Sequence, residues 1–161
     1  MTIISVENHD HENGHDNDDA HEEDWSELMS AGLAGGSFAQ HEVQEILLPD
    51  ETKISIASTS CLSPLDMVDL SWGTHDATGH RIWMGAELWI EALPTMESIF
   101  NSNPSGSCRC LELGSGTGLA GISLLQYYRA TITFHLIFSD NSPSALDLCR
   151  FNCQQNGFDD S

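Results

Sequence analysis

Basic residues are scarce in this chain: five Lys and Arg stand against 25 Asp and Glu, a formal net charge of −20 over 161 residues. Such a surface repels phosphate backbones and anionic lipid headgroups, which excludes binding to nucleic acid or to a membrane surface through basic patches. No apolar run approaches the roughly 20 residues that span a bilayer, and the N-terminus lacks a secretory signal. We therefore expect a soluble intracellular protein, cytoplasmic or nuclear, with no nucleic-acid or membrane partner.

The cysteines of the chain do not form a metal-binding or disulfide pattern. The five cysteines make an odd number, and neither Cys108 and Cys110 nor Cys149 and Cys153 have the CxxC spacing of a zinc site. Cys149 and Cys153 are four residues apart, so they would lie on one face of a helix, where free cysteines are usually buried. We predict core thiols in a reducing compartment and assign no metal site.

Charge is distributed unevenly along the chain. Residues 1–27 hold ten Asp and Glu and no Lys or Arg, and four histidines lie between these acids. Such a composition cannot offset the entropy cost of folding, so residues 1–23 are predicted to be a disordered acidic, His-rich tail. The alternative is weak capture of a divalent metal by the histidines and carboxylates. A capping box at Asp24 predicts a short helix that ends at Gly35-Gly36.

Residues 24–80 are predicted to form an N-terminal extension that contains a β-hairpin. The runs Val43–Leu48 and Lys53–Ser58 flank a Pro-Asp turn, and their apolar residues alternate with polar ones. From Arg81 to Phe100 the apolar residues recur at helical spacing, and Pro94 must break or kink that helix. Trp89 on this helix is expected to pack in the core.

The remaining pattern predicts an α/β fold over residues 81–161. The strand 108–113 leads into the glycine cluster 114–118 and a helix, and the strand 131–138 ends at Ser139-Asp140 before a helix that opens at Pro143 and stops at Gly157. This order of strand, glycine loop, helix, strand, acid and helix is typical of a Rossmann-like, doubly wound parallel sheet.

The glycine loop and Asp140 together predict a site for an adenosine-type cofactor, because an acid at the end of the next strand can accept hydrogen bonds from a ribose. Gly116 to Gly121 match GxGxxG, which allows a nicotinamide dinucleotide. Aligning on Gly114 instead puts Glu112 at the strand mouth, facing the ligand. A carboxylate at that place suits a ligand with an ammonium group and a sulfonium rather than a pyrophosphate.

Three stretches carry a resemblance to a known family. LELGSGTGLAGISLL resembles the first motif of class I S-adenosylmethionine-dependent methyltransferases, and FSDNSPSALDLCRFNCQQNG resembles their second strand and following helix. TGHRIWMGAELWIEAL is similar to a segment of the lysine methyltransferase family known as methyltransferase family 16. Asn152 and Asn156 also fit that family's pattern. The resemblance covers residues 78–158 and implies a seven-strand core, of which this chain holds the first two strands.

The resemblance implies roles for individual residues. Gly114, Ser115 and Gly116 would run under the methionine part of S-adenosylmethionine, with Gly118 in the same cofactor-binding loop. Further roles are ribose binding for Asp140, contact with the amino group for Glu112 and packing against the cofactor for Trp83. Plainer alternatives are a helix cap at Asp140, a solvated carboxylate at Glu112 and a core aromatic at Trp83.

The resemblance also implies a protein substrate that offers a lysine side chain. No residue is assigned a catalytic role, since the family's third-strand acid and its Asp-x-x-Tyr-type motif have no counterpart here. We therefore expect the N-terminal, cofactor-binding half of a protein-lysine N-methyltransferase, inactive alone. Two alternatives remain, a fragment of a nicotinamide-dependent oxidoreductase and a non-catalytic protein-binding module.

Overall fold

A computed structural model describes residues 2–7, 41–59, 78–100 and 107–159 of the chain. Five strands lie in these ranges: β1 (Thr2–Glu7), β2 (His41–Leu47), β3 (Lys53–Thr59), β4 (Ser107–Leu113) and β5 (Thr133–Asp140). Four α-helices accompany them: α1 (Met84–Ala92), α2 (Glu97–Phe100), α3 (Leu119–Tyr127) and α4 (Pro143–Gln155). Two 3-10 turns cover Thr78–His80 and Leu93–Thr95. None of the described helices is long and apolar enough to cross a membrane.

The central sheet confirms the predicted parallel pair. Strand β4 runs parallel to β5, and Leu111 lies opposite Ile137 in the register. Each strand is followed by a helix, α3 after β4 and α4 after β5, as the alternating pattern predicted. The fold is therefore mixed α/β with a parallel strand pair, whereas the seven-strand core stays a prediction.

A third strand corrects the prediction that residues 1–23 are disordered. Residues 2–7 form β1, which pairs antiparallel with the second edge of β5, so the strand order is β1-β5-β4. Ile4 and Val6 are buried opposite Phe138 and Leu136. The prediction weighed the acids of the whole segment, but the apolar alternation precedes them and can satisfy an open strand edge. The sheet is thus mixed, and residues 8–23, with the proposed metal ligands, lie outside the described residues.

The helices of the described ranges cover one face of this sheet. Buried side chains of β1, β5, α3 and α4 form one core, and its largest fully buried members include Phe134, Phe138, Leu125 and Leu146. On the other face of β4, Leu111 and Leu113 are 56% and 70% exposed. A doubly wound sheet carries helices on both faces, so the described part of the chain shows that architecture only on one side.

The predicted hairpin is confirmed: β2 and β3 pair antiparallel from His41 opposite Thr59 to Leu47 opposite Lys53. Its turn is closed by Asp50, whose carboxylate accepts hydrogen bonds from the backbone and the hydroxyl of Thr52 at 3.1 and 2.7 Å. The predicted break at Pro94 is also confirmed, because α1 gives way there to a 3-10 turn before α2. The helix predicted from Asp24 lies outside the described residues.

Two asparagines, Asn152 in α4 and the C-cap residue Asn156, attach the hairpin to the sheet. Asn152 accepts a hydrogen bond from the amide of Ala57 at 2.8 Å and donates to its carbonyl at 3.0 Å. One helical turn later, Asn156 makes the same pair with Ser55, at 2.9 and 2.8 Å. The two side-chain amides therefore form the hydrogen bonds with the backbone edge of β3 that a neighbouring strand would otherwise form. The division between residues 24–80 and 81–161 remains a prediction.

Candidate functional site

A cavity of about 550 Å³ opens at the carboxyl ends of β4 and β5, the place where ligands bind in α/β sheets. The described residues that line it come from the turn before α1, from α1, from β4, from the glycine loop, from the start of α3 and from β5. They are Thr78, Gly79, Arg81, Trp83, Gly85, Ala86, Trp89, Glu112, Gly114, Ser115, Gly116, Thr117, Leu119, Ala120 and Asp140. Six of the seven predicted site residues are thus brought together, and Gly118 is not among them.

The glycine loop reverses the chain between β4 and α3 through left-handed backbone conformations. Gly114 and Gly116 have φ angles of 68° and 53°, which residues with a Cβ adopt only under strain. A Cβ on Gly114 would meet nothing within 4 Å, whereas one on Gly116 would lie 2.9 Å from the carbonyl oxygen of Gly79. The absence of a side chain at Gly114 therefore leaves space in the cavity. At Gly116 it lets the loop pack against the turn before α1.

Gly118 does not line the cavity, and its cofactor-binding role stays a prediction. It is the N-cap of α3, with φ 79°, and a Cβ there would lie 2.5 Å from the Sγ of Cys149. Its lack of a side chain is needed for contact between α3 and α4 rather than for access to the cavity. Cys149 and Cys153 are fully buried, as predicted for core thiols.

Most backbone amides of the loop already have acceptors inside the protein. The amides of Gly114 and Ser115 donate to the carbonyl of Ser139 at 2.7 and 3.0 Å, and that of Gly116 donates to Asp140 Oδ2 at 2.9 Å. Gly118 donates to the carbonyl of Ser115. A loop whose amides are occupied in this way has few donors left for a phosphate group.

Asp140, the last residue of β5, accepts one hydrogen bond on each carboxylate oxygen. Oδ2 binds the amide of Gly116 and Oδ1 binds the amide of Ser142, both at 2.9 Å. The N-cap of α4 is Ser142, whose hydroxyl accepts from the amide of Ala145, so the helix-cap alternative for Asp140 is wrong. A carboxylate offers about four acceptor positions, which leaves two at Asp140 for a ligand.

Glu112 is a largely buried carboxylate on the penultimate residue of β4. Its Oε2 atom is buried without a hydrogen-bond partner, which contradicts the alternative of a strand-end carboxylate in water. Burial raises the pKa of the Glu112 carboxyl to about 7, although a hydrogen bond from the backbone of Gly121, near the start of α3, opposes this shift. The carboxylate also borders a second, apolar cavity of about 480 Å³, which explains the poor solvation of its charge.

Two indoles of the α1 region contribute to the cavity wall. Trp83 is 58% exposed, so it is not the core aromatic of the alternative interpretation, and its Nε1 donates to the carbonyl of Thr78 at 3.0 Å. Trp89 packs against the core as predicted. It also lines the cavity and donates to the carbonyl of Ala120 at 3.1 Å, a contribution that the sequence analysis missed.

Arg81 and Gly79 were also missed, although both lie in the stretch TGHRIW beside Trp83. Arg81 supplies the positive charge among the described lining residues. Gly79 packs so closely that a Cβ on it would lie 2.7 Å from that of Ala145. Their closeness to Trp83 in the sequence could have predicted both, because residues next to a cavity-lining residue in the same turn often line the cavity too.

The cavity therefore combines two carboxylates, one guanidinium and two indoles above a glycine floor. This set suits a ligand with a cationic group, a carboxylate, hydroxyls and an apolar ring. Within the described ranges, no group of three or more His, Cys, Asp or Glu side chains is placed to hold a metal ion.

Comparison with known proteins adds an independent observation. A family model described as lysine methyltransferase matches residues 65–161, which is 97 of the 161 residues. The match includes every residue that lines the cavity. No curated protein matches the chain.

Proposed function

Because the chain belongs to the lysine methyltransferase family over residues 65–161, we propose that the cavity beside Glu112 and Asp140 binds S-adenosylmethionine. The bound cofactor would serve methyl transfer to a lysine side chain of a protein substrate. The family membership supports the reaction class, and the side chains around the cavity support the cofactor.

The buried, unpartnered Oε2 atom of Glu112 carries this proposal. A carboxylate oxygen without a partner in a poorly solvated place costs free energy unless a cation or a further donor compensates it. The ammonium group of an amino acid provides both, and S-adenosylmethionine carries one. Glu112 therefore has the acceptor that the methionine part of the cofactor needs, at the place where the glycine loop begins.

Two further charged residues fit other groups of the same ligand. Arg81 lines the cavity and would bind the methionine carboxylate, since a guanidinium pairs well with a carboxylate. Asp140 retains two acceptor positions beyond those used by Gly116 and Ser142, enough for two ribose hydroxyls. Trp83 would cover the cofactor from the side of α1.

A nicotinamide dinucleotide fits these groups less well. Its pyrophosphate needs free amides at the glycine loop. Four amides of this loop already donate hydrogen bonds within the protein: those of Gly114, Ser115, Gly116 and Gly118. Two carboxylates in the cavity would also repel the negative phosphates. These contacts favour the methyl donor over the dinucleotide.

When bound, S-adenosylmethionine would supply an electrophilic methyl carbon on its sulfonium group for transfer to a neutral lysine nitrogen of the substrate, and the methylated nitrogen would release its proton to solvent. Glu112 and Asp140 would orient the donor through its ammonium group and its ribose hydroxyls, which raises the fraction of productive encounters. Trp83 and Trp89 would exclude water from that side of the cavity. Within the described ranges we assign residues to binding and orientation, and none to proton transfer.

Calorimetric titration with S-adenosylmethionine and with NAD tests the proposal. We expect Asp140→Ala to weaken S-adenosylmethionine about ten- to a hundredfold, because charge-assisted hydrogen bonds contribute roughly 1.5 to 3 kcal/mol. Glu112→Gln should weaken it too, whereas the exposed control Glu42→Gln should not. Dinucleotide binding that survives Glu112→Gln, without any binding of S-adenosylmethionine, would overturn the proposal. Thermal melting of each variant verifies that it is folded.

A further inference from the structure

Helix α1 has a second face that the cofactor site does not use. Ala86 and Trp89 line the cavity and Ile90 is buried. Residues at positions i, i+3, i+4 and i+7 of a helix share one face, and on α1 these are all exposed side chains. We call this face the α1 stripe; it consists of Met84, Glu87, Leu88 and Glu91.

The α1 stripe carries two large, exposed apolar side chains. Met84 is 71% exposed and Leu88, one turn later, is 58% exposed. Neither Glu87 nor Glu91 forms an ion pair with the part of the chain that the structure describes. The stripe is thus two large apolar side chains interleaved with two unpaired carboxylates.

The α1 stripe begins at the rim of the cavity. Trp83, the N-cap residue of α1, lines the cavity, and so do Gly85 and Ala86. These residues alternate along the chain with members of the stripe. The N-terminal end of the stripe is therefore adjacent to the rim, and a chain segment that lies on the stripe and continues past Met84 would reach the cavity mouth.

The charge near the stripe selects the kind of partner. Between residues 82 and 100 the sequence contains Glu87, Glu91 and Glu97 but no Lys, Arg or His. A second copy of the chain is a poor occupant, because a two-fold contact would bring equal acidic faces together. A cationic segment with one apolar side chain would match both components of the stripe.

We propose that the α1 stripe docks a basic segment of the protein substrate. An apolar side chain of that segment would contact Met84 and Leu88, and lysine or arginine side chains on either side would pair with Glu87 and Glu91. This inference rests on the proposed function, since the docked segment would present its target lysine at the cavity. It assigns the substrate a chemical class, a lysine in a basic, partly apolar sequence.

Fluorescence anisotropy with a labelled synthetic peptide tests the charge component. The peptide has lysines on both sides of one central leucine in a glycine–serine background, and a second peptide replaces each lysine by glutamate. We expect Glu87→Lys with Glu91→Lys to weaken binding of the lysine peptide about tenfold, because the charges at these two positions then repel the peptide's lysines instead of attracting them. The control, Glu42→Lys with Asp159→Lys, alters two exposed acids elsewhere and should change affinity less than twofold. Each double variant raises the net charge of −20 by the same amount, so the two differ only in where the charge is changed.

The apolar component has its own matched pair of variants. Met84→Ser with Leu88→Ser should weaken the lysine peptide severalfold, because the central leucine loses its contact surface. Val43→Ser with Leu47→Ser removes apolar side chains of similar exposure, 57% and 60%, from β2 and should leave affinity unchanged.

The outcomes separate this inference from the proposed function. Equal weakening by the stripe variants and their controls would overturn the inference, because it would show attraction to the overall negative charge. So would tight binding of the glutamate peptide, or a dimer that dissociates when the stripe is changed. Calorimetry with S-adenosylmethionine is run on the same samples. Cofactor binding with no stripe-dependent peptide binding refutes only the docking surface, and stripe-dependent peptide binding without cofactor binding refutes only the proposed function.

Discussion

Replacing Asn152 by alanine should destabilise the protein more than any change at the surface. The side chain is 0% exposed and serves three backbone groups: the amide of Ala57, the carbonyl of Ala57 and the carbonyl of Thr117, at 2.8, 3.0 and 2.9 Å. Each buried group left without a partner costs about 1 to 3 kcal/mol. We therefore expect Asn152→Ala to lower the free energy of unfolding by about 3 kcal/mol or more.

The neighbouring asparagine provides the internal comparison. Asn156 makes the same pair of hydrogen bonds with Ser55, but its contacts are only partly buried, so water can replace the lost amide. Asn156→Ala should cost about 1 kcal/mol. Asn152→Asp should resemble Asn152→Ala, because a carboxylate cannot donate to the two carbonyls.

Urea denaturation followed by circular dichroism measures both costs. Equal and small losses for Asn152→Ala and Asn156→Ala, below about 1 kcal/mol each, would refute the reasoning. Because Thr117 belongs to the glycine loop, Asn152→Ala should also weaken binding of S-adenosylmethionine in samples that remain folded.

Three further predictions concern buried groups. The pKa of Glu112 is raised from 4.5 to about 7, so stability should fall by roughly 3 kcal/mol as pH rises from 4.5 to 7, where the unfolded chain ionises and the folded protein does not. Glu112→Gln should melt several degrees above the wild type at pH 8.5, and a gain of equal size at pH 4.5 would contradict this. Burial, and then the charge of His80, lowers the pKa of His41 below 6.5, so stability should fall as pH drops below 6.5, and His41→Gln should reduce that loss in thermal melts. Val6 is fully buried, so Val6→Asp should lower the melting temperature markedly, whereas an unchanged melt would mean that β1 contributes nothing to the sheet.

Local chemistry made much of the fold predictable from the sequence. The alternation around the turn at Asp50 predicted the hairpin, Pro94 predicted the break after α1, and the glycines after β4 predicted the turn into α3. Each of these features depends on residues that are neighbours along the chain, whose backbone preferences act whatever the rest of the molecule does. The parallel pairing of β4 and β5 followed from the same order of elements, because short crossovers leave few arrangements. For the site, the glycine motif and the acid at the end of the next strand predicted Glu112 and Asp140 as ligand-binding residues.

Tertiary structure alone decided which of these side chains are solvated, paired or orphaned. The acids after β1 predicted disorder for the whole segment. Ile4 and Val6 are nevertheless buried, because β1 pairs with β5, which is more than 120 residues away in sequence. Asn152 finds its partners 95 and 35 residues away. The unpaired oxygen of Glu112 likewise depends on how α3 packs over β4. Burial and hydrogen bonding depend on contacts with residues that are distant in sequence. A local pattern can therefore indicate a functional residue, but it does not show how the charge of that residue is solvated.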